Sequence, residues 1–526
     1  MAFTLFRGQM KKEKLKDTKG YTHFDKRSNL EQNMKYVSCP DNVKNHHFMP
    51  LIHFNDISKK FDASKPKKFK QKVRPLYYSA HIDRSIYVFY ANILNEKYNK
   101  RIRDCGIDDA VIAYRTNLNK KSSIDFALMA FAEMKKLKDC YVMIGDFTSF
   151  FDELDHKILK YKIKDLLGVE SLSEDWLKVF NQITKYQYVE LGTLIYLHCR
   201  KEGYLKDLFK QKWVKGKYHS FLACPMIDYK VENKLTDESD NISLLEDRIN
   251  CRCIDKENNI WRKGACVNTK CYKSFNKISK ISISDINKLQ KVHKLIKQYN
   301  HKERKRGIPQ GTAISAILAN IYMLDFDRQV NSSVESLGGK YMRYSDDFIV
   351  IIPKCSDLKS VLSELYKNIN RVKLEVKDEK TQIYEFDINS IKKVKDITSE
   401  YVKVQKKDKN MIEYLGLAYD GNMVAIKEAT KFKFLRRASR KLRGIEKQRR
   451  MVQNEGDIGT RNFILNYTKK GSKGYVDRKT GRRVSGNYFA YENRANAKIT
   501  ECFDELGNPE SIEERMGKIM KRLKNK

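Results

Sequence analysis

Tyr344-Ser345-Asp346-Asp347 sets two adjacent carboxylates between two strand-like strings, 341–344 and 348–352. The pattern predicts a hairpin with both acids at its tip. A third acid, Asp146, ends another short apolar string at 141–145. If that strand lies beside the hairpin, three carboxylates converge at one edge of a sheet. Such hard oxygen ligands suit Mg²⁺, which keeps several waters and completes its shell with substrate phosphates. Two ions roughly 3.5–4 Å apart activate an attacking hydroxyl and steady the leaving group of an in-line displacement at phosphorus. Alone the string is unspecific, because Asp-Asp in a hairpin is often only a solvated turn.

Several elements must hold these acids. Gly307-Ile308-Pro309-Gln310-Gly311 makes a turn that lets backbone approach a ligand, and it opens a helix predicted over 312–330. An ordinary Gly-Pro loop with an N-cap is the competing reading. Further helices are predicted over 123–136 and 358–369, and Ile86, Tyr87, Phe89, Tyr90, Ile93 and Leu94 recur near helical spacing. Between 158 and 306 the chain is long and mixed. Residues 431–450 alternate basic with apolar side chains, Phe432, Phe434, Leu435, Ala438, Leu442 and Ile445, which predicts an amphipathic helix with a cationic face. A membrane-surface helix is its competitor.

The charge balance narrows the partner. In 526 residues, Lys+Arg of 105 against Asp+Glu of 66 gives a net charge of +39, far more than solubility needs. So large a field calls for an acidic partner, and nucleic acid fits a charge spread along the whole chain. No secretory signal and no apolar run long enough to span a bilayer are visible. Eleven cysteines fit reduced thiols, so the sequence reads as cytoplasmic, with no membrane partner. Residues 1–80 are Lys-rich and read as a basic extension that touches nucleic acid or is simply solvated.

In order along the chain, Asp146-Phe147-Thr148-Ser149-Phe150-Phe151-Asp152, then 307–311 with Ser315, then 344–347, resemble reverse transcriptases. Leu374-Glu375-Val376 with Glu379-Lys380-Thr381 looks like the next palm motif, and Tyr414-Leu415-Gly416-Leu417 like the turn that follows it. Ala113-Tyr114-Arg115 and Ser123-Ile124-Asp125-Phe126-Ala127 are similar to the fingers of bacterial members. The family usually has proline where this chain has Ala316, and alanine or methionine where it has Ser345.

The resemblance implies an α+β right-hand polymerase with an antiparallel palm sheet. Its divisions are a basic extension (1–80), fingers with the first palm strand (81–157), an insert (158–306), palm (307–420), and a helical thumb and basic tail (421–526). It implies RNA-directed DNA synthesis from dNTPs on an RNA template, with two Mg²⁺ ions or Mn²⁺ in their place. Asp146, Asp346 and Asp347, with Phe147, would hold the metals. Phe151 would crowd a ribose 2′-hydroxyl and so select deoxynucleotides, with core packing as its plainer role. Gln310, Gly311, Tyr344, Phe147 and Arg115 would line the substrate. Lys380 would protonate or pair with pyrophosphate.

Ile82-Asp83 with Ile86-Tyr87, and Gly486-Asn487-Tyr488-Phe489-Ala490-Tyr491 with Arg494-Ala495, look most like bacterial defence-associated and abortive-infection members. Those would copy an associated non-coding RNA into a DNA product, and a homo-oligomer is compatible. Template-independent or protein-primed synthesis, and an RNA-binding scaffold with an idle palm, stay open as alternatives. Cys251, Cys253, Cys266 and Cys271 cluster in the insert. Their spacing departs from zinc patterns, so structural Zn²⁺ is the weaker reading and free thiols the stronger.

Overall fold

In a computed structural model the described residues are 20–61, 69–115, 121–191, 305–403, 410–452, 460–476 and 486–503, with short pieces among the rest. They form two compact units. The first takes Met1–Asp104 and Ser149–Leu324, the second Cys105–Thr148 and Asp325–Lys526. Helices and mostly antiparallel sheets are mixed in both.

In the first unit, strands Leu51–Phe61 and Phe69–Tyr78 make a long antiparallel hairpin. Gln187–Glu190 runs parallel to the former, and Lys297–Gln298 pairs with it at the edge. The sequence reads this region as a basic extension because its lysines dominate the composition. Leu51, Ile52 and Phe54 are nonetheless buried, and that short apolar run anchors the hairpin. Ahead of it, helix Leu30–Val37 starts at a capping box in which Asn29 and Gln32 exchange 2.9 Å bonds. The 24-residue helix His81–Asp104 buries Asp83, which bonds His46 Nε2 at 2.7 Å and accepts the Met49 N–H at 3.0 Å. Of the segment 158–306, the described beginning is helical, from His156–Leu167 to Glu174–Thr184.

The second unit is built on a five-stranded antiparallel sheet. Its order is Val394–Asp396, Gln382–Asp387, Asp139–Asp146, Asp347–Pro353, Lys340–Tyr344. The central strand, Asp139–Asp146, is buried along most of its length, as a run of Cys, Val, Met and Ile demands. Gly145 is required there. A Cβ at that position would stand 2.3 Å from Cζ of Phe348, whose ring crosses the strand. Helix Ser123–Leu137 covers the sheet with Phe126, Ala127, Ala130, Phe131 and Met134, and a three-stranded sheet (412–426) joins the same core.

The basic helix runs Glu428–Val452 and buries Phe434, Ala438, Leu442 and Ile445 against Phe463 and Phe489. Phe432, read as part of the apolar side, is 51% exposed. Tyr488 stacks on Phe434 with centroids 4.6 Å apart, so this aromatic group serves the core. Among the described residues no helix is long and apolar enough to cross a membrane.

Helix Tyr488–Cys502 is tied to helix Ser123–Leu137 by an ion pair between Lys498 and Asp125. Burial pushes the Asp125 carboxyl up. Lys498 and the Ser122 N–H and hydroxyl outweigh that and hold it below the usual carboxylate range. A depressed folded value gives stability that is full above the unfolded value, near about pH 4, and lost as the pH falls through the folded one. Lys498→Met is therefore expected to lower the melting temperature at pH 7, with a shrinking effect toward pH 3. Equal differences at both pH values would refute the linkage.

Candidate active site

Antiparallel register sets Asp146 opposite Asp347 and Gly145 opposite Phe348. Asp346 occupies the turn, and its carbonyl accepts the Phe147 N–H at 2.9 Å. The three acids read from the sequence are therefore brought to one end of the sheet. Ser345 begins the turn at φ 63°, a left-handed conformation that costs a β-carbon-bearing residue energy unless neighbours hold it. Two neighbours do. The Arg343 guanidinium donates to the Ser345 carbonyl at 2.9 Å, and the Ser345 hydroxyl donates to Tyr114 Oη at 3.0 Å.

Arg343 is itself fully buried. It donates at 2.7 and 2.6 Å to the two carboxylate oxygens of Asp327, also 0% exposed, on the helix Ser315–Ser336. Tyr341 donates to the same carboxylate at 2.8 Å. Sequence reasoning missed this brace. Its signal was a lone arginine inside a buried-strand pattern and, on a largely apolar helix, an acid that falls among buried positions, each needing a partner.

Residues 375–377 run antiparallel beside 146–148. Thr148 N–H donates to the Glu375 carbonyl at 2.7 Å, and Lys377 N–H to the Asp146 carbonyl at 3.0 Å. A single 3-10 turn, Asp378–Lys380, follows. Three residues per turn puts Lys377 and Lys380 on one side, and both ammonium groups reach Asp146 Oδ1, at 3.0 and 2.5 Å. Lys380 was expected at the site and Lys377 was not, although that three-residue spacing was the available signal. Lys377 Nζ also lies 3.4 Å from the Phe147 carbonyl.

The electrostatics follow. Burial pushes Asp146 up, but Lys380 and Lys377 together hold it below its ordinary value. Burial, with Asp346 and Asp146 adding their charge, pushes Asp347 up to about 7. The cluster is short of positive charge. Its carboxylates and the Phe147 carbonyl are hard oxygen donors, the set that suits Mg²⁺. Among the described residues, no three His, Cys, Asp or Glu side chains are already gathered around one point.

Other expected residues are distributed differently. Phe147 is buried, its ring 5.3 Å from Phe348, so only its backbone faces the acids. Tyr344 is half-buried near Phe126. Arg115 has no exposed side chain. It bonds the Asp108 carboxylate and donates to the Val111 carbonyl at 2.8 Å, so its guanidinium is engaged by its own loop.

Phe151, Gln310 and Gly311 lie in the first unit. Phe151 is half-buried on the short helix Phe150–Glu153, and its carbonyl accepts the Ile308 N–H at 2.9 Å. The Gln310 carbonyl accepts the Tyr77 N–H at 2.8 Å. Gly311, at φ 105°, presses on Tyr77 so closely that a Cβ would sit 2.6 Å from its carbonyl oxygen. Ser315 donates to the Pro309 carbonyl at 2.6 Å, closing the loop onto its helix. Cys251, Cys253, Cys266 and Cys271 lie outside the described residues.

Residues 200–419 match the family model described as reverse transcriptase (RNA-dependent DNA polymerase). The chain carries a reverse transcriptase domain. The matched stretch takes in the 307–311 loop, the acid hairpin and Lys377 to Lys380, while Asp146 and Phe151 precede it. No curated protein matches the chain in sequence.

Solved structures similar to it include an apo telomerase from Candida tropicalis truncated from its C-terminal domain. That match has 11% identity and a TM-score of 0.35, over 76% of this chain and 59% of that one. Another is telomerase from Candida albicans in complex with a TWJ fragment of telomeric RNA, at 12% identity and a TM-score of 0.32, over 94% and 65%. The chain bearing the reverse transcriptase domain thus spans less than two thirds of either telomerase.

Proposed function

We propose that the protein is an RNA-directed DNA polymerase. The observation that carries this reading is the meeting of Asp146, Asp346 and Asp347 at one sheet end, beside two lysines, in a chain with a reverse transcriptase domain. On this reading the five-stranded sheet is the palm of a right-hand fold, and the basic helical region from 421 is the thumb and tail.

Asp146, Asp346 and Asp347 with the Phe147 carbonyl would hold two Mg²⁺ ions, which supply activation of a primer 3′-hydroxyl and neutralisation of the leaving pyrophosphate. The protein's own part is placement. The sheet register and the Arg343 brace fix the carboxylates before substrate arrives, which lowers the barrier by preorganisation. Lys380, half-exposed beside Asp146, would donate a proton to the departing pyrophosphate or neutralise its charge. Phe151 would close the space a ribose 2′-hydroxyl needs, and Gln310, Gly311 and Tyr344 would line the nascent pair. The segments around Ile82-Asp83 and 486–495 favour a bacterial defence enzyme that copies an associated non-coding RNA.

Incorporation of labelled dNTPs by the full-length protein with Mg²⁺, with and without an RNA template and annealed primer, tests this. Template-dependent DNA is expected from the parent and none from Asp346→Ala. Phe151→Ala should raise ribonucleotide use by roughly tenfold or more. No incorporation with any template, primer or metal would overturn the proposal, and synthesis indifferent to template would replace it with template-independent synthesis.

A further inference from the structure

Lys377 holds an unusual position. Its ammonium touches two oxygens from different residues, Asp146 Oδ1 at 3.0 Å and the Phe147 carbonyl at 3.4 Å. These are two of the four groups assigned above to metal binding. Its backbone N–H is anchored on the Asp146 carbonyl, so the side chain starts from a fixed point. Among the described residues, Lys380 touches the Asp146 carboxylate alone. We propose that Lys377 is a built-in competitor for a divalent cation: its ammonium fills the volume that an ion bridging Asp146 and Phe147 must enter.

The argument is one of space and charge. An ion shared by those oxygens stands about 2.0–2.1 Å from each, inside the region the ammonium occupies. Both cannot be there, and at such range two cations also repel strongly. The lysine side chain is 35% exposed, so it has an exit to solvent. While seated it neutralises Asp146 and satisfies the Phe147 carbonyl. When an ion arrives it must swing out, and its released charge is then free to meet the triphosphate that arrives with the metal. Asp146 is therefore kept neutralised without metal, at the cost of weaker metal affinity.

This inference rests on the metal-binding reading of the three acids, so its test is binding and not synthesis. Mn²⁺ is titrated into the full-length protein and the free ion is followed by electron paramagnetic resonance. Lys377→Met is expected to lower the dissociation constant by about tenfold, Lys380→Met by less, and Asp146→Asn to raise it. Lys377→Gln keeps the test open should the methionine variant fail to fold. Unchanged or weaker Mn²⁺ binding in the folded Lys377 variants would overturn the proposal, as would a larger gain from Lys380→Met. Should the parent synthesise no DNA while Lys377→Met still tightens Mn²⁺ binding, the polymerase reading fails and this one stands.

Discussion

Asp347→Asn is expected to abolish nucleotide incorporation and at the same time to make the metal-free protein more stable. The loss should be at least about 10³-fold, the scale on which removing a preorganised electrostatic group acts. The gain follows from the charges around the residue. Burial and two neighbouring carboxylates push Asp347 up to about 7, so near neutral pH its charge is held against its environment. The full shift corresponds to roughly 4 kcal/mol, and solvent screening and relaxation reduce this to about 1–2 kcal/mol of relief. Asparagine keeps the shape and gives an amide donor for Asp146. Urea unfolding in EDTA, compared with incorporation in Mg²⁺, reads both effects. A dead variant that is also less stable would mean that repulsion does not set the environment of Asp347.

The second large effect concerns Arg343 and Asp327. Both are 0% exposed, and each satisfies the other. Removing one partner, as in Arg343→Met or Asp327→Leu, leaves a buried charge and should cost about 3–5 kcal/mol. Replacing both should recover most of that, because a well-packed apolar pair avoids desolvation altogether. Activity should not recover with it. In the double variant the Ser345 carbonyl still lacks its donor, and the left-handed turn that aims Asp346 and Asp347 loses a restraint. Denaturant midpoints and incorporation rates on both single variants and the double variant separate the two roles. Full recovery of both would make the pair a packing feature only.

The acids were legible because each feature that marks them is local. Asp146 ends an apolar string, and Asp346 with Asp347 interrupts another, so strand period and turn position are enough. The 307–311 loop was legible for the same reason, since its glycines and proline state their conformations outright. Lys377 and the Arg343–Asp327 pair were not, because their partners come from distant positions and composition hides them among a hundred other basic residues. Arg115 shows the converse. Its motif pointed to substrate, but the nearest acid, Asp108, and its own loop engage it. Leu51, Ile52 and Phe54 were overlooked in the first eighty because three apolar side chains are easily outvoted by surrounding lysines, although burial weighs them the other way.

The sheet register has a consequence for how the protein is made. Strand Asp139–Asp146 has its two neighbours in Asp347–Pro353 and Gln382–Asp387, far downstream. A ribosome adds about 5–20 residues per second, so the roughly 200 residues between the first strand and its partner take about ten to forty seconds. Throughout that interval a very apolar strand waits with both hydrogen-bonding edges open, an invitation to pair with another chain. The intervening sequence belongs largely to the first unit, which can collapse on itself in the meantime. The central strand of the five-stranded sheet is thus among the first parts of that sheet to be synthesised, yet it must wait for the later strands before it can pair.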